Sequence, residues 1–230
     1  MNGHQLAVVR GWADTRTTLR AWNGAPFAVL GRWAGLSLAI CIALLAAVLL
    51  IASLLAPYVP PTATRLLPGV TTEAEWADVA TVLQRNSLVL ALHALACLAG
   101  FIAKSSLPIE AASYSGRWRK LHDVAGPAAI VFVTGAILFS LGAQSLQLGA
   151  GLATLSVQLD TPAASLLAVL CIHALPELVA LFLPLAAWLV AARAGAWHQL
   201  MAATIVTTAI ALPVLAVAAL VEVFVTPRFV

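Results

Sequence analysis

A chain of 230 residues that is 62% hydrophobic and only 9% charged, with a mean hydropathy of +1.00, has too little charge to solvate a surface. Soluble domains carry about 25% charged residues, so this composition excludes one and implies an all-α, polytopic transmembrane helical bundle. The net charge of +3 and pI near 9.1 fit basic loops at a membrane face better than nucleic-acid binding.

Residues 1–32 read as a cytoplasmic N-terminal tail. Arg10, Arg16, Arg20 and Arg32 interrupt it, so no cleavable signal peptide is expected and the first span serves as its own signal. Val8, Trp12, Leu19 and Trp22 fall near one helical face, which suits an interfacial helix; a loosely structured tail is the alternative.

A hydrocarbon core needs about 20 apolar residues in helical form. Within a transmembrane domain over 33–230, five stretches come near that length. The first, Trp33–Leu55, stops at Pro57, Pro60 and Pro61. Thr72-x-x-Glu75 then has the form of a capping box, followed by Trp76, Val79, Ala80 and Leu83 at helical spacing. That pattern predicts a short external amphipathic helix near residues 72–84. The second span, Ser87–Ala103, contains His93, and the segment Gly116–His122 after it reads as a basic loop that meets anionic headgroups. Pro127–Leu148 is the third span. The fourth, Ser165–Ala192, carries Pro176 and Pro184 and is expected to be kinked or broken. Met201–Val225 is the fifth.

Lys and Arg set the expected orientation. The tail, the second loop (Lys104, Arg117, Arg119, Lys120) and the fourth loop (Arg193) hold most of them, against Arg65, Arg85 and Arg228 on the other side. The positive-inside rule then puts the N-terminus in the cytoplasm and the C-terminus outside. Cys41, Cys97 and Cys171 all lie in apolar runs without CxxC spacing, so they read as small hydrophobes.

The informative residues are ionisable groups within apolar runs, which cost roughly 2.5–3.5 kcal/mol each on insertion scales. His173 and Glu177 lie one turn apart on the fourth span, on one face. Glu222 lies near the end of the fifth, and Arg85 and Asn86 begin the second at the same external level, so an Arg85–Glu222 pair is allowed. These five residues form a candidate intramembrane polar centre: a relay, a metal half-site, a solute contact, or an interhelical clasp. Enzyme signatures are missing. There is no HExxH, GxSxG or GxxxxGK[ST], and HxxxE alone lacks further ligands, so neither catalysis nor a cofactor or metal is expected.

Three short motifs in order resemble the stage II sporulation protein M family of bacterial integral membrane proteins. His173-Ala-Leu-Pro-Glu177 is similar to that family's HGxxE, with Ala174 in place of glycine. Val221-Glu-Val-Phe-Val-Thr-Pro227 resembles its ending, and Arg85-Asn-Ser-Leu-Val-Leu90 leading to Gly100 its second span. Gln144-Ser145 followed by Leu148-Gly149 stands where that family tends to have Asn-Gly and Leu-Gly. The resemblance covers residues 84–227. It implies a non-enzymatic bacterial inner-membrane protein that assembles with membrane partners or with itself, in cell-envelope work. A small transporter or channel using the His/Glu centre is the alternative, and an intramembrane metalloenzyme a third.

Overall fold

The computed structural model describes residues 7–112 and 114–230, and the side chains from residue 11 onward. Residues 1–6 of the expected tail, and the places of the Val8 and Arg10 side chains, lie outside the described residues. Among them the chain is all α, with five helices long and apolar enough to cross a membrane: a multi-pass membrane protein. The helices are α1 (Ala7–Asn23), α2 (Pro26–Leu55), α3 (Trp76–Phe101), α4 (Leu107–Ala111), α5 (Gly116–Gln158), α6 (Ala163–Ala194) and α7 (Leu200–Phe224).

The chain divides into two compact units. The first takes in the chain up to Ser37, Leu90–Ile137 and Phe182–Ile210. Its core is Trp33, Leu183, Ala186, Ala187 and Ala203, with Trp22 edge-on to Trp33 at 5.1 Å between ring centroids. The inward face of α1 is Gly11, Thr15 and Thr18, with Trp22 half-buried, while Trp12 is exposed under the Arg16 guanidinium. Trp12 of the expected interfacial face thus points outward, and packing sets the inward face. A Cβ at Gly11 would lie 2.8 Å from the Phe101 ring and 2.9 Å from Met201 Sδ, so only the slim side of α1 fits there. The Thr15 hydroxyl satisfies itself on Gly11 O at 2.7 Å.

His93 is fully buried in this unit, edge-on to Phe182, and Cys97 Sγ donates to Pro184 O at 3.1 Å. Between α3 and α4 the backbone makes one π turn, Ile102–Ser106, in which Leu107 N–H bonds Ile102 O. Pro108 explains it. Proline has no N–H and crowds the carbonyl one turn back, and a wider turn relieves that contact.

The second unit comprises Leu38–Val89, Leu138–Leu181 and Ala211–Val230. Val79, Ala219 and Val223 are buried together, and Trp76 stacks edge-on against Phe224 at 5.2 Å. On α5, a Cβ at Gly149 would lie 2.6 Å from Ile51 Cγ2 and 3.1 Å from Val48 O, so α2 and α5 approach closely here. The 59–75 connection is tied down by Arg65 N–H to Gln158 Oε1 (2.8 Å), Leu67 N–H to Thr71 Oγ1 (2.7 Å) and Gly69 N–H to Thr72 O (2.8 Å). Gly69 has φ of 79°, and a Cβ there would lie 2.7 Å from Pro227. Both the backbone and the space demand glycine. α5 closes with a Schellman cap: Thr161 N–H reaches Ser156 O (3.0 Å) and Asp160 takes the left-handed position at φ 48°.

Three expectations need correction. The helix expected near 72–84 is not separate: residues 76–84 are the opening turns of α3. Its cap is shifted by one turn, since Glu75 N–H donates to Asp78 Oδ2 at 2.9 Å and Thr72 instead closes the Gly69 turn. The Gly116–His122 segment is helical rather than looped, because nothing breaks the helix between Gly116 and Pro127. Finally, of the kink or break expected in the fourth span the break does not occur: α6 is continuous through Pro176 and Pro184. Each proline forfeits one bond of the ladder, and its φ remains helical. The run around Pro184 is buried on every side, from Ala180 to Trp188, and that packing offsets the lost bond.

Candidate functional site

All residues lining a cavity of about 440 Å³ belong to the second unit. Its walls are mostly leucine and valine side chains from α2, α3, α5 and α6. Polar groups enter from six places. α3 supplies Arg85 and Asn86, α5 supplies Gln144 and Gln147, and α6 supplies His173 and Glu177. Glu222 comes from the last turn of α7, Thr226 from the 3-10 turn after it, and Arg65 from the connection before α3. The five residues singled out in the sequence therefore line one cavity. Pro176 and Pro184 do not line it.

His173 and Glu177 share a face as their spacing requires, but they serve different partners. The His173 ring, 8% exposed, is hydrogen-bonded through Nδ1 to Thr226 Oγ1 at 2.8 Å, and Thr226 is itself buried. Glu177 lies within electrostatic reach of Glu222, Arg85 and Asn86. Arg85 also stands within electrostatic reach of Glu222. Asn86 faces Glu177, yet Glu177 Oε2 and Asn86 Nδ2 are both buried without a hydrogen bond of good geometry among the described residues. Buried polar atoms are nearly always paired, and an unpaired one costs about 1–3 kcal/mol. Both residues belong to the cavity wall, while these two atoms are themselves enclosed in it.

Arg65 is a cavity residue that sequence reading placed only as a loop charge. Its backbone is fixed by Gln158, and its guanidinium lies against the Gly151 backbone, where any Cβ would overlap it. Among the described residues it makes no ion pair. Gln147 was also missed, although Gln144, Gln147 and Gly151 recur at helical spacing on α5 and mark a polar, small-residue stripe. Gln144 Nε2 donates to Ser140 Oγ at 3.0 Å. No group of three His, Cys, Asp or Glu side chains placed to hold a metal occurs among the described residues.

Compared with protein-family models, with curated proteins and with solved structures, the chain has no match in any of the three. The functional argument therefore rests on the cavity.

Proposed function

We propose that this membrane protein binds a small polar-headed solute in the cavity of its second unit, as a transporter or channel does. The observation that supports it is the convergence of Glu177, Glu222, Arg85, Asn86 and His173 on one cavity, with Glu177 Oε2 and Asn86 Nδ2 enclosed in its wall without a hydrogen bond. Cavities of roughly 300–1,000 Å³, largely apolar with a few placed polar groups, are the usual form of small-molecule sites. Intramembrane ionisable residues facing a cavity commonly mark solute or ion pathways. The test is flux into vesicles reconstituted with the full chain, monitored for organic solutes and for ions. Flux is expected and should be abolished by Glu177→Gln; undiminished flux in that variant refutes the reading.

A second reading follows from the family resemblance: a bacterial inner-membrane protein, N-terminus cytoplasmic and C-terminus external, that assembles with cell-envelope partners or with itself. One contact favours it. The two motifs that carry the resemblance, His173…Glu177 and Glu222…Thr226-Pro227, meet through the His173–Thr226 bond. Purification from native membranes should then yield a stable complex larger than one chain. Monomers that move a solute remove this reading.

A further inference from the structure

The residues lining the cavity divide by exposure, and the division shows where it opens. Leu152, Leu155, Leu178 and Leu181 are buried and form its interior. Arg85 and Leu88 on α3 and Gln147 on α5 also line it, yet they are exposed, Leu88 by 67%. On α3, Leu88 belongs to the outward stripe of Thr81, Gln84, Ala91 and Leu95, while Val82, Asn86 and Val89 on the cavity side are half-buried. On α5, Gln147 adjoins the outward Leu146 and Ala150, whereas Gly151 and Leu155 are buried. Both helix surfaces therefore turn from cavity to surroundings at these residues, which form a rim.

That rim lies at bilayer depth. The exposed Trp76 opens α3, and a tryptophan at a span's end sits at the membrane–water interface. Leu88 is twelve residues further on, about 18 Å at 1.5 Å per residue, and Gln147 is eleven residues before the end of α5, about 16 Å. Both depths are close to the middle of a hydrocarbon core about 30 Å thick. A mouth at that depth faces acyl chains, not water.

The space behind the rim is long and thin. Along α6 it is lined from Leu167 to Leu181, fourteen residues or about 21 Å. Spread over that length, a volume of about 440 Å³ leaves a mean section of about 21 Å². A helix from a partner, about 10–12 Å across, does not fit such a slot, whereas one extended hydrocarbon chain does.

Resting on the reading that this cavity binds a polar-headed ligand, we infer that the ligand is an amphiphile dissolved in the membrane. Its single tail enters sideways from the bilayer, past Leu88 and Gln147, and lies along α6. Its head stays at the outer end, where the exposed Arg65 and Val230 line the slot. One tail of a phospholipid and a free long-chain acid share that chemistry.

Photo-crosslinking of the full chain in lipid vesicles tests this with two probes, each carrying a diazirine near the end of a palmitoyl tail. One is a phosphatidylcholine and the other the free acid, and adducts are located by peptide mass spectrometry. At least one probe should label the buried Leu152, Leu178 or Leu181 in addition to the outward Leu50 and Phe139. Interior label from the phospholipid identifies a bilayer lipid, and label from the acid alone a free amphiphile. Leu88→Trp at the rim and Ala174→Phe inside the slot should each cut the interior label at least fivefold and leave Leu50 and Phe139 unchanged. Residue 88 is exposed, so the larger side chain there does not threaten the fold. If neither probe labels the interior, or if Leu88→Trp keeps the full interior label, the inference fails. The flux assay decides the solute reading separately. Flux without interior label rejects the tail and retains the solute, while interior label without flux keeps the amphiphile and removes transport.

Discussion

Replacing Thr226 by valine removes one hydroxyl and keeps the side-chain volume, so it isolates the His173–Thr226 bond. Both residues are buried, at 8% and 2% exposure, and the bond is 2.8 Å long. An orphaned buried donor or acceptor costs about 1–3 kcal/mol. Here the ring also borders the cavity, which lets water serve as a partial substitute and favours the lower half of that range. The expected loss is about 1–1.5 kcal/mol. In a cycle with His173→Phe, the coupling should be about 0.6 kcal/mol and no more than about 1.7 kcal/mol, the average and the maximum measured for such pairs in a helical membrane protein. Reversible unfolding in mixed micelles gives both quantities. Thr134→Val is the control: its hydroxyl bonds Ile130 O in its own helix at 2.8 Å, and that carbonyl keeps a backbone donor. It should change stability by no more than about 0.5 kcal/mol. If Thr226→Val stays within about 0.3 kcal/mol of wild type and the cycle is additive, the bond does not join the fourth span to the C-terminal turn in solution.

Other substitutions probe the packing and the cavity separately. Gly149→Val should cost about 1–3 kcal/mol by overpacking α5 against Ile51 and the Val48 carbonyl, read as a lowered thermal midpoint. Gly69→Ala combines a left-handed backbone with a clash on Pro227, and should loosen the C-terminal turn enough to raise hydrogen exchange at residues 226–229. Asp78→Ala removes the acceptor of Glu75 N–H and should cost about 0.5–2 kcal/mol at the start of α3. Glu177→Leu should be neutral or stabilising in unfolding assays while eliminating solute binding, because Oε2 is buried without a hydrogen bond and its removal relieves that cost.

The five spans were legible because apolar run length is the direct requirement of a bilayer, and nothing in tertiary packing overrides it. Their ends were not. α5 extends eleven residues before Pro127 through Arg117, Arg119 and Lys120, residues that read as a loop by charge although each favours a helix. Likewise, Pro176 and Pro184 read as a kink or a break, and the buried surroundings of Pro184 keep the helix continuous through it. In the cavity, His173 and Glu177 stand out by the cost of ionisable groups in an apolar run. Arg65 and Thr226 carry no such mark. They come from a connection and a terminal turn, and only long-range folding brings them to α5 and α6.

The π turn before Pro108 ties two distant positions into one unit of inheritance. In its wider register Leu107 N–H bonds Ile102 O, so the next donor, the one proline lacks, belongs to Ala103 O. That carbonyl is covered by Gly126 of α5, where a Cβ would stand 2.8 Å from it. The glycine leaves only a Cα hydrogen to face the oxygen, a weak donor that suffices where a methyl group would not fit. Proline at 108 and glycine at 126 are thus mutually conditional: an alanine at 126 is poorly tolerated while the proline stands. Once residue 108 regains an N–H and the turn can tighten, the carbonyl withdraws and the same alanine becomes acceptable. Mutational paths through this part of the protein should therefore run in one order and not in the other.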